Sequence, residues 1–104
     1  MKYSVVLSPE ALNDIDNIYS YIAVTLGEKE IAAKMVREIE NSILSLDEIP
    51  KRFKLYDDEP WRSRELRVMN VKKYLVFYFA DDDIQTVNVL RVIYGSRDIG
   101  KELN

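Results

Sequence analysis

Tyr74-Leu75-Val76-Phe77-Tyr78-Phe79-Ala80, the acidic turn Asp81-Asp82-Asp83 and Thr86-Val87-Asn88-Val89-Leu90-Arg91-Val92-Ile93-Tyr94 together decide the fold. The first run is uninterrupted and rich in β-formers, as a central strand is. The second is long and β-branched. A shorter candidate, Glu65 to Met69, precedes them across the turn Asn70 to Lys73. Links this short join antiparallel neighbours, so the three candidates form a meander. Gly95 closes the last strand, and Ser96 to Asn104 reads as a polar tail.

Upstream of the meander the period changes. Lys2 to Leu7 alternates, with Tyr3, Val5 and Leu7 on one face, which predicts a short strand. Ser8 is placed to cap a helix, and Pro9 at its first position loses no hydrogen bond. Glu10 and Asp14 bring negative charge to the opening turns, where the helix dipole favours it. Leu12, Ile15, Ile18, Tyr19 and Ile22 follow at helical spacing until Gly27. Ile31, Met35, Ile39, Ile43 and Leu46, with Ala32 and Val36 alongside, make a second helix stopped by Pro50. The chain therefore reads as α+β over residues 1–104, one domain: an N-terminal strand, a two-helix hairpin, a three-stranded antiparallel meander and a short C-terminal tail, β-α-α-β-β-β. The first strand is expected at a sheet edge and the hairpin over one sheet face.

Composition narrows the chemistry. Among 104 residues there are 15 Lys and Arg, 18 Asp and Glu, and neither His nor Cys, for a net charge of −3. Ser-His-Asp, Cys-His and His-metal chemistry are excluded. So is a disulfide scaffold, which fits a reducing compartment and a cytoplasmic location. No signal-peptide or membrane-span pattern occurs. No cofactor is expected, because the chain is short for enclosing one and carries no phosphate-loop glycine motif. Asp57-Asp58-Glu59 and Asp81-Asp82-Asp83 are contiguous turn acids without metal-ligand spacing, so no metal is expected either.

The mild total hides segregation. Residues 1–50 carry four basic and nine acidic side chains, residues 51–73 eight basic and four acidic, and residues 74–104 three basic and five acidic. The basic segment opens with Lys51, Arg52 and Lys54. Such a cluster is either a solvated loop or a contact for phosphate or an acidic partner. Arg91 lies within an apolar strand, expected to share a face with Val87, Val89 and Ile93. A guanidinium there either binds an anionic ligand or pairs with a helix carboxylate. Tyr94 and Arg97 flank Gly95; they can stack on a base and hold its phosphate together with Arg67, or be partly core and paired with Asp98.

Two blocks then carry a resemblance. Val6-Leu7-Ser8-Pro9-Glu10-Ala11-Leu12-Asn13-Asp14-Ile15 is similar to the start of the RelE/ParE superfamily of bacterial toxins. Tyr74-Leu75-Val76-Phe77-Tyr78, followed by Val89 to Asp98, is similar to its closing block. The resemblance spans nearly the whole chain and implies a small α+β toxin neutralised by a cognate antitoxin, with a toxin dimer possible inside their complex. RelE-like members are ribosome-dependent messenger-RNA endonucleases; ParE-like members inhibit DNA gyrase. Position by position, Arg67 and Arg97 match basic residues of the nucleases. Glu65 and Leu75 stand where further basic residues belong, and Leu103 lies where a catalytic tail Tyr would fall. The ParE-like arrangement, with Leu90-Arg91-Val92 and Gly95-Ser96-Arg97-Asp98, fits better. It implies growth inhibition by binding an essential target, with gyrase expected and Arg67, Arg91, Tyr94 and Arg97 facing it. Under the nuclease alternative, Arg67 and Arg97 would serve phosphate and transition-state charge, and Tyr94 stacking or proton exchange. The antitoxin is expected to lay an extended or helical segment over the sheet and helix grooves.

Overall fold

The structure, a computed structural model, describes residues 2–103; Met1 and Asn104, the ends of the expected domain and tail, lie outside the described residues. Its elements are β1 (Ser4–Leu7), α1 (Pro9–Ser20), α2 (Lys29–Leu44), β2 (Arg67–Val71), β3 (Tyr74–Asp81), β4 (Thr86–Tyr94) and α3 (Ile99–Leu103). The sheet has the order β1-β4-β3-β2. β2, β3 and β4 form the antiparallel meander, and β1 pairs parallel with β4 at the edge.

Ser8 caps α1, its Oγ accepting from the Ala11 amide at 2.9 Å. After Ser20 the helix widens into a π turn, Tyr21–Thr25, which buries Ile22 and Ala23 and exposes Tyr21 and Val24. Gly27, at φ 72°, then reverses the chain in a conformation that disfavours any residue with a Cβ. α2 ends at Leu44, earlier than the expected stop, and two 3₁₀ turns, Ser45–Asp47 and Pro50–Arg52, complete the descent. Leu46 is fully buried in the first of them.

The hairpin covers one sheet face as expected. Ala11 and Ile15 of α1 and Ile39 and Ile43 of α2 pack on Met69, Val76, Tyr78, Val87, Val89 and Val92. Leu12 and Ile31, which belong to the same helical spacing, are more than half exposed. The second sheet face is covered too. Tyr56, Trp61 and Leu66, from the irregular segment before β2, join Ile99 and Leu103 of α3 over Phe77 and Ile93. Tyr56 meets Phe77 edge to face, with centroids 5.3 Å apart. The tail is thus a short helix with a buried apolar residue rather than a polar extension.

Two further expectations change. The first meander strand starts at Arg67, not Glu65, because Glu65 sits at φ 62° and ends a turn whose amide donates to the Arg62 carbonyl. β4 carries a bulge: Tyr78 is level with Val89 and Phe77 with Arg91, so Leu90 has no opposite number. The extra residue breaks simple alternation. Val87, Val89 and Val92 face the hairpin, while Leu90 and Ile93 pack on the opposite side. Arg91 therefore does not share one face with Val87, Val89 and Ile93.

Candidate functional site

The bulge builds the site. Displacing one residue from the ladder frees backbone groups, and α1 takes them up. Ser8 Oγ donates to the Leu90 carbonyl at 2.8 Å, and the Val92 amide donates to Asp14 Oδ2 at 2.9 Å. Between them, Arg91 points at α1 and donates to both Asp14 oxygens, Nε at 2.7 Å and Nη2 at 2.9 Å. Such a fork-to-carboxylate pair is directional as well as charged. The hydrogen bonds to Asp14 and its charge hold the Arg91 guanidinium above its ordinary pKa. Its remaining nitrogen donates to the Glu102 carbonyl at 2.6 Å, capping the end of α3. Of the two alternatives for Arg91, pairing with a helix carboxylate is what the geometry contains.

Tyr94 ends β4, 38 % exposed, with its ring against Tyr74 at 5.6 Å. Burial, then the neighbouring Tyr94, pushes the Tyr74 phenol above its usual range. At Gly95 the chain turns so closely over β3 that a Cβ would lie 3.3 Å from the Lys73 carbonyl, which the Gly95 amide already engages at 2.9 Å. Arg97 follows, its side chain 65 % exposed, with Nη1 donating to Glu102 Oε1 at 3.0 Å. Its expected partner Asp98 instead accepts from the Lys101 amide within α3.

These residues line two adjoining depressions. A polar cleft of about 190 Å³ is walled by Asn13, Asp14, Arg91, Tyr94, Arg97 and Glu102. Beside it runs a larger groove of about 770 Å³. Its floor includes Ile18, Ile22 and Met35, and Leu26 and Ile31 expose more than half their surface along it. Lys34, Lys72, Lys73 and Arg97 supply its positive charge, with Lys72 3.8 Å from Glu38. Asn17, Tyr94 and Arg97 belong to both depressions.

Arg67 is elsewhere. It lies level with Tyr78 and Val89, whereas Tyr94 lies level with Tyr74 and Val71. On β3 these two levels are four steps apart, Tyr78 to Tyr74, or about 13 Å of strand. Arg67 Nη1 donates to the carbonyls of Phe53 at 2.7 Å and Lys51 at 3.2 Å. It thus joins the Lys51, Arg52 and Lys54 segment, whose charges are mostly occupied. Arg52 donates to the Ser45, Glu48 and Ile49 carbonyls at the end of the hairpin. Lys51 pairs with Asp82 at 2.6 Å, and Tyr3 donates to the same carboxylate at 2.7 Å. Those two hydrogen bonds hold Asp82 below the usual carboxylate range. Lys54 is exposed. The structure therefore brings Arg91, Tyr94 and Arg97 together and leaves Arg67 apart.

Sequence reading missed Asp14 and Glu102 as partners of the arginines, and Lys34, Lys72 and Lys73 as the groove's rim. Asp14 carried a signal, since it falls on the helical stripe of Ala11, Ile15 and Ile18 that faces the sheet. Among the described residues no cluster of His, Cys, Asp or Glu fits a metal ion, and no helix is long and apolar enough to cross a membrane.

Solved structures share this fold. The chromosomal ParDE toxin–antitoxin system of P. aeruginosa matches at TM-score 0.72 and 20% identity, over 89% of this chain and 96% of that one. The RelBE2 toxin–antitoxin complex of Mycobacterium tuberculosis matches at 0.64 and 22%, over 90% and 99%. A free-state arginine mutant of the E. coli toxin RelE matches at 0.66 and 14%, over 98% and 93%. Curated proteins give no match. Fold and element order are those of the RelE/ParE superfamily of toxins. Within it, the profile of the ParE toxin of type II toxin–antitoxin systems, parDE, matches residues 5–99, and the chain belongs to that family.

Proposed function

We propose that this toxin arrests growth by binding an essential protein target, with DNA gyrase the expected one, and that Arg91, Tyr94 and Arg97 form the target-facing end. The observation that carries this reading is the separation of Arg67 from Arg97. A nuclease must clamp one scissile phosphate and move its protons with groups gathered around it. Here the two matching arginines lie at different places in the sheet, and Arg67 is engaged by backbone carbonyls. Leu103, at the position expected for a tail Tyr, is buried under the sheet. Arg91, held by Asp14, lines the cleft as the support of that end and not as a free cation. What remains is a recognition surface of one exposed Arg, one Tyr and an apolar groove.

The same groove suits a cognate antitoxin, whose apolar segment would cover Leu26, Ile31 and Tyr21. Neighbours solved as ParDE and RelBE assemblies support a partner of that kind. Action on gyrase would locate the protein in the cytoplasm.

Induced expression followed by parallel assays tests the reading. Gyrase supercoiling by the purified components should fall as toxin is added, with messenger RNA intact on ribosomes. Rapid ribosome-dependent cleavage with supercoiling unaffected would overturn it in favour of an interferase.

A further inference from the structure

Glu102 occupies a singular position. One carboxylate oxygen takes the Arg97 hydrogen bond at 3.0 Å, and the other lies 3.7 Å from Arg91 Nη2. The residue belongs to α3, which has five residues and is far too short to be stable alone. α3 is held by Leu103 and Ile99 against the second sheet face and by Arg91 on the Glu102 carbonyl. The Arg97 side chain, by contrast, has one polar contact among the described residues, the Glu102 ion pair, and it stands at the junction of the polar cleft and the apolar groove.

We propose that Arg97, backed by Arg91 and Tyr94, is a carboxylate-recognition site that the chain fills with its own Glu102. A polypeptide partner lying in the groove replaces that group with an acidic side chain of its own. The inference rests on the reading of this end as the partner-facing surface, and it adds the chemistry of the ligand and the residue that competes with it.

The surroundings select a carboxylate carried on a polypeptide. Glu102 presents one oxygen toward each guanidinium, so the space is already that of a planar two-oxygen group. Asp14 sits on the same Arg91, and Glu10 also acts on it electrostatically. A phosphate carrying more charge would meet this negative field, whereas a single carboxylate exchanges for Glu102 without altering the charge of the cleft. The groove floor is apolar and its rim carries four cations against Glu38. That pairing of surfaces fits a segment with apolar residues on one side and acidic ones at its edge. The exchange is easy because an exposed ion pair contributes little, and the incoming segment adds apolar burial that Glu102 does not provide.

The test uses the purified full-length chain and two blocked helical peptides, each with leucines on one face, differing only in Glu or Gln at the edge. The Glu peptide should bind more tightly than the Gln peptide. Glu102→Gln should tighten Glu-peptide binding by about two- to fivefold. Leu103→Ala, which loosens α3 without changing charge, should move affinity the same way. Glu40→Gln, the same charge change on α2, should leave it unaltered. Arg97→Gln should narrow the difference between peptides and remove the gain from Glu102→Gln. Equal binding of the two peptides, binding of neither, an unchanged affinity in Glu102→Gln, or displacement of the Glu peptide by equimolar inorganic phosphate would each overturn the proposal. Growth arrest measured alongside separates the two readings. Arrest with no peptide discrimination sinks the carboxylate exchange alone; discrimination without arrest sinks the target-binding reading alone.

Discussion

Two arginine-bearing regions of this molecule have opposite designs. Around Arg67 and Arg52 the guanidinium groups donate to backbone carbonyls of the segment between the hairpin and β2. There they serve as pins, fastening side-chain donors onto the carbonyls of that irregular backbone. Around Arg91 and Arg97 the partners are carboxylates, and the two residues divide the labour. Arg91 is locked to Asp14, while Arg97 stays largely in solvent. Counting cations along the sequence ranks the first region higher. Hydrogen-bond partners reverse the ranking, because a cation spent on the chain's own carbonyls is unavailable to another molecule.

Substitutions sharpen that contrast. The largest effect is expected at Arg91→Ala, where the pair being broken is mostly shielded, at 23% and 11% side-chain exposure. Asp14 would be left with the Val92 amide alone, costing about 3 kcal/mol in denaturant unfolding. A loss below about 1 kcal/mol would show that the pair contributes little. Next comes Tyr78, fully buried, whose hydroxyl donates to the Pro50 carbonyl at 2.6 Å and ties the first region to the sheet. Burial pushes its pKa to about 12. The folded form thus holds its proton more tightly than the unfolded chain, where the value is near 10. This contribution is complete below pH ~10 and is lost as pH rises toward ~12, by up to about 3 kcal/mol. Unfolding measured from pH 9 to 12 should show that loss in the native protein and a smaller one in Tyr78→Phe; identical slopes would refute it. Arg67→Ala should cost about 1–2 kcal/mol through the two carbonyls it abandons, with toxicity lowered no further than the fall in folded protein. Arg97→Ala should change stability by less than about 0.5 kcal/mol and abolish growth arrest while antitoxin binding, carried mainly by the apolar groove, weakens only a few fold. A marked loss of stability there would collapse the distinction between the two regions.

The sequence disclosed what local periodicity encodes. The hairpin and meander were legible because Ile15, Ile39 and Ile43, and likewise Val76, Val87 and Val89, repeat at the spacing of their elements. α3 was not, since Ile99 and Leu103 are one apolar pair in a polar stretch and acquire meaning only against Phe77 and Ile93. The aim of Arg91 was hidden for another reason: a bulge is set by the pairing of two strands, and neither strand alone announces it. The division between Arg67 and Arg97 likewise depends on register, which places one opposite Tyr78 and the other beyond Tyr94.

The pairing of β1 with β4 also governs when the protein becomes whole during its synthesis. Ser8 and Asp14 leave the ribosome well before Leu90, Arg91 and Val92, which they hold. The neighbouring hairpin can gather its helices early, but β1 has no strand beside it until β4 is made. The end that carries Arg91, Tyr94 and Arg97 thus cannot assemble until β4 is made, so a nascent or prematurely terminated chain lacks the arrangement on which its toxicity is proposed to depend.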